Sequence, residues 1–388
     1  MNMFRVASVV GAIALTIFAF FPDDSSADYL ARDIVARCAK NTPRATCYGR
    51  EVPALLTDLN LPEVFEVIRR IREQDPSYQY CHVLAHKIGE SVVAEDPEHW
   101  LDAIPYNPLD GLCSNGFIHG VIGGRFRADV LDEETREQYV PDFSRACEPR
   151  GAWQPTRLDQ AICYHGLGHL YLFITNADIP KALDLCERTA AGGPKDDFRR
   201  VCREGVFMQI YQSLDPDDDF LVNERMSIRP TRETVRQFCA RFERDEYEGA
   251  CLRESWPLFR EEIMDGTGVA TFCAGQPNPE EEIACYEGVF SIVGRLSLEK
   301  PEHIATVCGH VPAEYGAMCW ADTAATILEE DRNALEHAIA LCDSAPERYQ
   351  TFCLEALAQR TSFIFGDTRD AARFCAMLPT YIRKMCTL

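Results

Sequence analysis

The chain is poor in positive charge: 39 Lys and Arg residues stand against 61 Asp and Glu, a net charge of −22 over 388 residues. No basic cluster relieves that imbalance, which argues against nucleic acid as a partner. Beyond Phe21 no stretch is apolar enough for a membrane span, which needs about 20 residues. No Cys-x-x-Cys occurs, so zinc-ribbon and thioredoxin-like chemistry find no support, and without Cys-x-x-Cys-His neither does covalently attached haem. His-Glu-x-x-His and Gly-x-Ser-x-Gly are also missing, which removes two named catalytic signatures. The acidic run Asp215, Asp217, Asp218 and Asp219 reads as a solvated turn, because Phe220 and Met226 occupy the places where a calcium loop needs glycine and a carboxylate.

What the sequence does have is cysteine, 18 in all, every one of them after an N-terminal segment that reads as an export signal. Residues 1–27 carry Arg5, the apolar run Val6 to Phe21, and small residues at Ser25-Ser26-Ala27 where a signal peptidase would cut. An uncut segment would be the chain's one route to a membrane. In an exported protein an even number of cysteines implies disulfides, so the expected location is periplasmic or secreted.

Spacing sorts the cysteines into pairs: Cys38/Cys47, Cys81/Cys113, Cys147/Cys163, Cys186/Cys202, Cys239/Cys251, Cys273/Cys285, Cys308/Cys319, Cys342/Cys353 and Cys375/Cys386. From Cys239 onward the first members recur every 34, 35, 34 and 33 residues. That period belongs to a helix–turn–helix repeat. In each late unit an apolar helix ends on the first cysteine, as in Ala270-Thr271-Phe272-Cys273. A proline-bearing loop follows, and the second cysteine opens the next helix, as in Cys285-Tyr286-Glu287-Gly288. Cys81 and Cys113 both look like starts of second helices, so their bond would join neighbouring repeats. The expectation is an all-α, disulfide-stapled solenoid with an irregular, histidine-rich half at 28–214, a joint at 215–232 and a regular half at 233–388.

In period, helix pairing and cysteine placement the chain resembles the tetratricopeptide-like and Sel1-like class of helical repeats, closely over residues 235–388 and loosely before them. The resemblance implies a curved solenoid whose concave face takes a protein or peptide, and it implies no reaction.

The chemistry-bearing residues are five histidines. His82 and His86, and likewise His165 and His169, stand four apart, so each pair shares a helix face. Counted from the cysteine that opens each helix, His119 and His169 hold the sixth position and His86 the fifth. Met208, Pro257, Ser291, Ala325 and Gln359 hold that sixth position further along. Stacked repeats line up equivalent positions, so the histidines are expected together as ligands for zinc, copper or iron. Glu90, four residues beyond His86, is a further ligand or base, with Tyr164 and Glu204 in support. Cys81, Cys113 and Cys163 adjoin the histidines, but Cys285, Cys319 and Cys353 fill the same repeat position without them, so disulfides are expected for all. A metal-dependent hydrolase or oxidase is the enzymatic form of this reading. The alternative is a metal-free adaptor whose histidines only pack. Gly116, Gly166, Gly205 and Gly288 each follow a cysteine by three places, which points to close helix–helix approach.

Overall fold

The computed structural model describes residues 26–41, 43–78, 81–126, 131–151, 153–191, 197–212, 222–223, 229–298, 302–366 and 369–386. The expected signal lies outside them up to residue 25, as does most of the expected joint at 215–232 and its acidic run. Among the described residues the fold is all-helical, with one isolated bridge between Arg150 and Trp153.

The longer helices are α1 (Ser26–Cys38), α2 (Arg44–Glu51), α3 (Leu61–Gln74), α4 (His82–Glu95), α5 (Gly116–Phe126), α6 (Glu133–Ala146), α7 (Arg157–Ile174), α8 (Ile179–Thr189), α9 (Arg199–Tyr211), α10 (Asp245–Glu254), α11 (Pro279–Leu296), α12 (Glu302–His310), α13 (Ala313–Glu330), α14 (Leu335–Ser344), α15 (Glu347–Gln359) and α16 (Arg369–Met377). Their starts follow from local chemistry. Thr156 and Asp159 form a reciprocal capping box at the head of α7, as Asn60 and Glu63 do for α3. Asn278 caps α11, with Pro279 in its first turn.

Nine disulfides join the pairs that the spacing gives. In the first half they are Cys38–Cys47, Cys81–Cys113, Cys147–Cys163 and Cys186–Cys202. Cys239–Cys251, Cys273–Cys285, Cys308–Cys319, Cys342–Cys353 and Cys375–Cys386 follow. The first members end their helices as expected at Cys38, Cys239 and Cys273, while Cys186, Cys308, Cys342 and Cys375 fall within the last turn instead of at the end.

The second members correct the expectation, because most of them do not open their helices. Cys163, Cys251, Cys285, Cys319 and Cys353 lie in the second turn of α7, α10, α11, α13 and α15, and Cys202 lies at the end of the first turn of α9. The loop chemistry ahead of them, such as the Thr156 and Asn278 caps, starts each helix earlier. The second cysteine is placed instead by burial. Cys163, Cys202, Cys251 and Cys319 have no exposed surface, and each faces its partner across 5.5–5.7 Å between Cα atoms. Only Cys81 directly precedes its helix, α4.

Among the described residues no cysteine is free, which fits an oxidising, exported setting. None of the described helices is long and apolar enough to cross a membrane.

The helices α4, α5, α7, α9, α10, α11, α13 and α15 pack each on the next. The run also comes back on itself. The C-terminal end of α13 reaches the turn Leu112–Asn115 ahead of α5, and Thr361–Phe365 packs on α7. Buried Arg332, just past α13, clasps this junction: it donates to Leu109 O at 2.7 Å, Thr156 Oγ1 at 3.2 Å and Asp159 at 2.5 Å. A guanidinium held by that many acceptors satisfies the charges it buries. The apolar core divides into two clusters, one running from Ala27 to Leu252 and the other from Trp256 to Ile382, with Leu158 of α7 belonging to the second. Between the helices lies a cavity of about 850 Å³.

Candidate metal centre

The four-residue spacing on α4 sets the His82 and His86 rings 4.6 Å apart. Glycine then brings α5 against that turn. A methyl at Gly116 would meet the His82 carbonyl oxygen at 2.4 Å, and one at Gly120 the His86 carbonyl oxygen at 2.1 Å. Only a residue without a side chain tolerates that approach. It delivers His119 of α5 to within 5.0 Å of His82 and 5.3 Å of His86, ring centre to ring centre. Gly166 of α7 makes room in turn for the His119 ring, and His169 and His165 follow at 5.7 and 6.1 Å from it. All five histidines therefore form one contiguous cluster.

His82, His86 and His119 are 7, 5 and 7 % exposed, and one ligand atom from each lies within 4.8 Å of the others. Nitrogen ligands around a tetrahedral zinc, bonded at about 2.0–2.1 Å, stand about 3.3 Å apart. Binding an ion there would draw the three rings closer together. Backbone carbonyls fix the tautomers, since a carbonyl oxygen only accepts. Nε2–H of His119 donates to Ile162 O at 2.7 Å, leaving the lone pair on Nδ1, which is buried without a hydrogen-bond partner. Nδ1–H of His82 donates to Cys113 O at 3.2 Å, placing its lone pair on Nε2. A ring anchored through one nitrogen while the other points inward is how ligating histidines are held.

The Cys113 carbonyl is aimed by an unusual turn. Cys113, Ser114 and Asn115 all have positive φ, at 57, 52 and 54°. Side chains disfavour that region, so the turn needs outside support. It comes from the bond to Cys81, from Ser114 Oγ donating to Glu330, and from Asn107 Nδ2 donating to Asn115 Oδ1 at 2.5 Å.

Burial holds four of these imidazoles neutral. It pushes His82 well below its ordinary value, with help from His86, His119 and Arg295, and it does the same to His119 and His169. His165 falls to about 4, again chiefly through burial. A neutral imidazole is the form that ligates metal.

The other expected residues are placed differently. Glu90 accepts from Lys87 Nζ at 3.0 Å and does not line the cavity. Tyr164 points away: its hydroxyl donates to Glu148 at 2.6 Å and its ring stacks on Phe198. Glu204 does line the cavity, where burial raises its carboxyl but Arg200 and Arg253 more than offset that and hold it ionised. Cys81, Cys113, Cys163 and Cys202 adjoin the histidine-bearing helices, but each is in a disulfide and offers no thiolate to a metal. Gly288 does not mediate close packing, since the nearest atom to a methyl there is Arg253 Cδ at 3.9 Å.

Several cavity residues escape the sequence reading. Arg295 donates to Glu330 at 2.5 Å. Burial pushes Glu254 up to about 8, with the Glu204 charge adding to it. Met208, on α9, stands in the same register row as His119 and His169, and that was its only signal. No family model matches the chain, and neither a curated protein nor a solved structure matches it.

Proposed function

We propose that this is an exported metal-binding protein that holds a transition-metal ion on His82, His86 and His119 at the wall of its central cavity. The observation that carries this reading is the meeting of three buried imidazoles with ligand atoms within 4.8 Å of one another, two of them with carbonyl-fixed tautomers. Imidazole suits zinc, copper and iron alike. We place the protein in the periplasm or outside the cell, as a stapled helical-repeat array of the tetratricopeptide-like and Sel1-like class.

An ion on the triad would supply Lewis acidity and attract anions to the cavity. Arg200, Arg253 and Arg360 line the same space in pairs with Glu204, Glu287 and Asp322, so a polar small molecule there would meet both signs of charge. In the enzymatic form of this proposal Glu254, protonated at neutral pH, is the residue able to hand such a molecule a proton.

The test is elemental analysis of protein purified from an oxidising compartment, beside a variant carrying His82→Ala and His119→Ala. Near-stoichiometric zinc, copper or iron that disappears in the variant supports the proposal. A wild-type protein that stays metal-free after reconstitution sinks it. The adaptor reading would then lead, and a protein or peptide partner on the concave face would be sought.

A further inference from the structure

The triad leaves His165 and His169 without a role, and a third residue joins them. His165 Nε2 lies 3.2 Å from the thioether sulfur of Met208. On the other side of the ring, Nδ1–H donates to Val201 O at 3.1 Å, so the ring's proton is on Nδ1. Nε2 thus meets the sulfur with its lone pair, and a thioether has no proton to return. Two lone pairs held at this distance make no hydrogen bond. They do form one edge of a coordination site. His169, one helical turn along α7, sets its ring 4.8 Å from that of His165, and its Nδ1 is buried without a hydrogen-bond partner. All three side chains line the cavity.

Backbone packing builds the arrangement. A methyl at Gly205 would sit 2.1 Å from the His165 carbonyl oxygen, so α9 lies directly against α7 and carries Met208, three residues on, over the His165 ring.

We propose that His165, His169 and Met208 form a second subsite, selective for Cu(I). Thioether sulfur is a soft ligand that favours Cu(I), whereas an all-imidazole triad also accepts harder divalent ions. The cluster then holds two ions of different character side by side. This extends the metal-binding proposal above, but its test is separable from it.

The full chain is loaded anaerobically with Cu(I) against a chromophoric Cu(I) chelator, and in parallel with Zn(II). X-ray absorption on the copper sample reports whether sulfur is bonded to the metal. With every described cysteine in a disulfide, a bonded sulfur identifies a methionine. The wild type should show it. Met208→Leu, a volume-conserving change, should abolish it and weaken Cu(I) binding roughly tenfold or more, while Zn(II) content stays as in the wild type. A wild type without bonded sulfur overturns the proposal, and so does a Met208→Leu protein that keeps the sulfur signal or the wild-type Cu(I) affinity. Loss of Zn(II) binding to the triad with copper–sulfur bonding intact would instead refute the triad and leave this subsite standing.

Discussion

The cavity has two kinds of wall. Along α4, α5 and α7 it is histidine: His82, His119, His165 and His169. Along α10, α11 and α13 it is carboxylate and guanidinium, with Glu254, Glu287, Glu329 and Glu330 among Arg253 and Arg295. One physical pressure acts on both with opposite results. Burial strips the proton from the imidazoles and leaves it on Glu254, and it raises Asp322 to about 6. One wall thus offers bases and the other an acid, at the same pH and in one space. Titratable groups pushed apart in this way are a feature of acid–base sites. The backbones differ too. On the histidine side Gly116, Gly120 and Gly205 bring helices into direct backbone contact, whereas on α11 a methyl at Gly294 would meet Thr326 Cβ at 3.0 Å and one at Gly288 only Arg253 Cδ at 3.9 Å.

The largest expected effect contrasts the staples of the two regions. Replacing Cys81 and Cys113 by serine removes a 32-residue link, and loop entropy puts the cost at about 4 kcal/mol. The 11-residue link Cys342–Cys353 should cost about 3 kcal/mol. Denaturant midpoints measure both. Only the first change should also impair metal binding, because it releases the turn that anchors His82. Equal retention of metal in both variants would show that the turn is not needed.

Acid should next single out the histidine wall. His165 titrates at about 4 in the folded protein, against about 6.5 in an unfolded chain. As pH falls the unfolded chain takes up the proton first, so the metal-free protein loses stability from pH about 6.5 down to about 4. This ring alone accounts for about 3 kcal/mol. A flat stability profile across that window would contradict a neutral, buried His165.

Alanine at two glycines sharpens the backbone contrast. Gly120→Ala forces a methyl onto the His86 carbonyl and should cost about 1–3 kcal/mol. Gly288→Ala meets nothing closer than ordinary contact and should gain up to about 1 kcal/mol from helix propensity. Thermal melts of the pair decide it, and equal shifts would erase the distinction.

The acid wall responds to pH in the opposite sense. Glu254 holds its proton up to a pH of about 8 in the folded protein, while the unfolded chain releases it near the ordinary carboxylate value. Stability therefore declines as pH rises from about 4.5 to about 8. Glu254→Gln should raise the melting temperature at pH 8 and leave it nearly unchanged at pH 4. An equal gain at both would point to packing instead of charge.

The sequence by itself determined the helical class, eight of the cysteine pairs and the five histidines, because these depend on local spacing; that Cys81 joins Cys113, 32 residues on, the fold decided. A four-residue step places two rings on one helix face, and a short loop between cysteines leaves each little choice of partner. Where the helices begin was less legible. Cys163, Cys251 and Cys319 sit a turn inside α7, α10 and α13, and Cys202 inside α9, because loop caps set the starts while burial set the cysteines. Nor did the sequence determine what stands beside the histidines. Glu90 shares a helix with His86 yet pairs with Lys87, and Tyr164 turns to Glu148. Residues far along the chain come close instead: Glu330 takes a hydrogen bond from Ser114, and Arg332 clasps Asp159. Those meetings exist only because the late helices fold back onto the early ones, and no local periodicity encodes that closure. Met208 shows the boundary between the two kinds of information. Its register was legible in the sequence, but its contact with His165 required α9 to lie against α7, which a glycine backbone and tertiary packing decided.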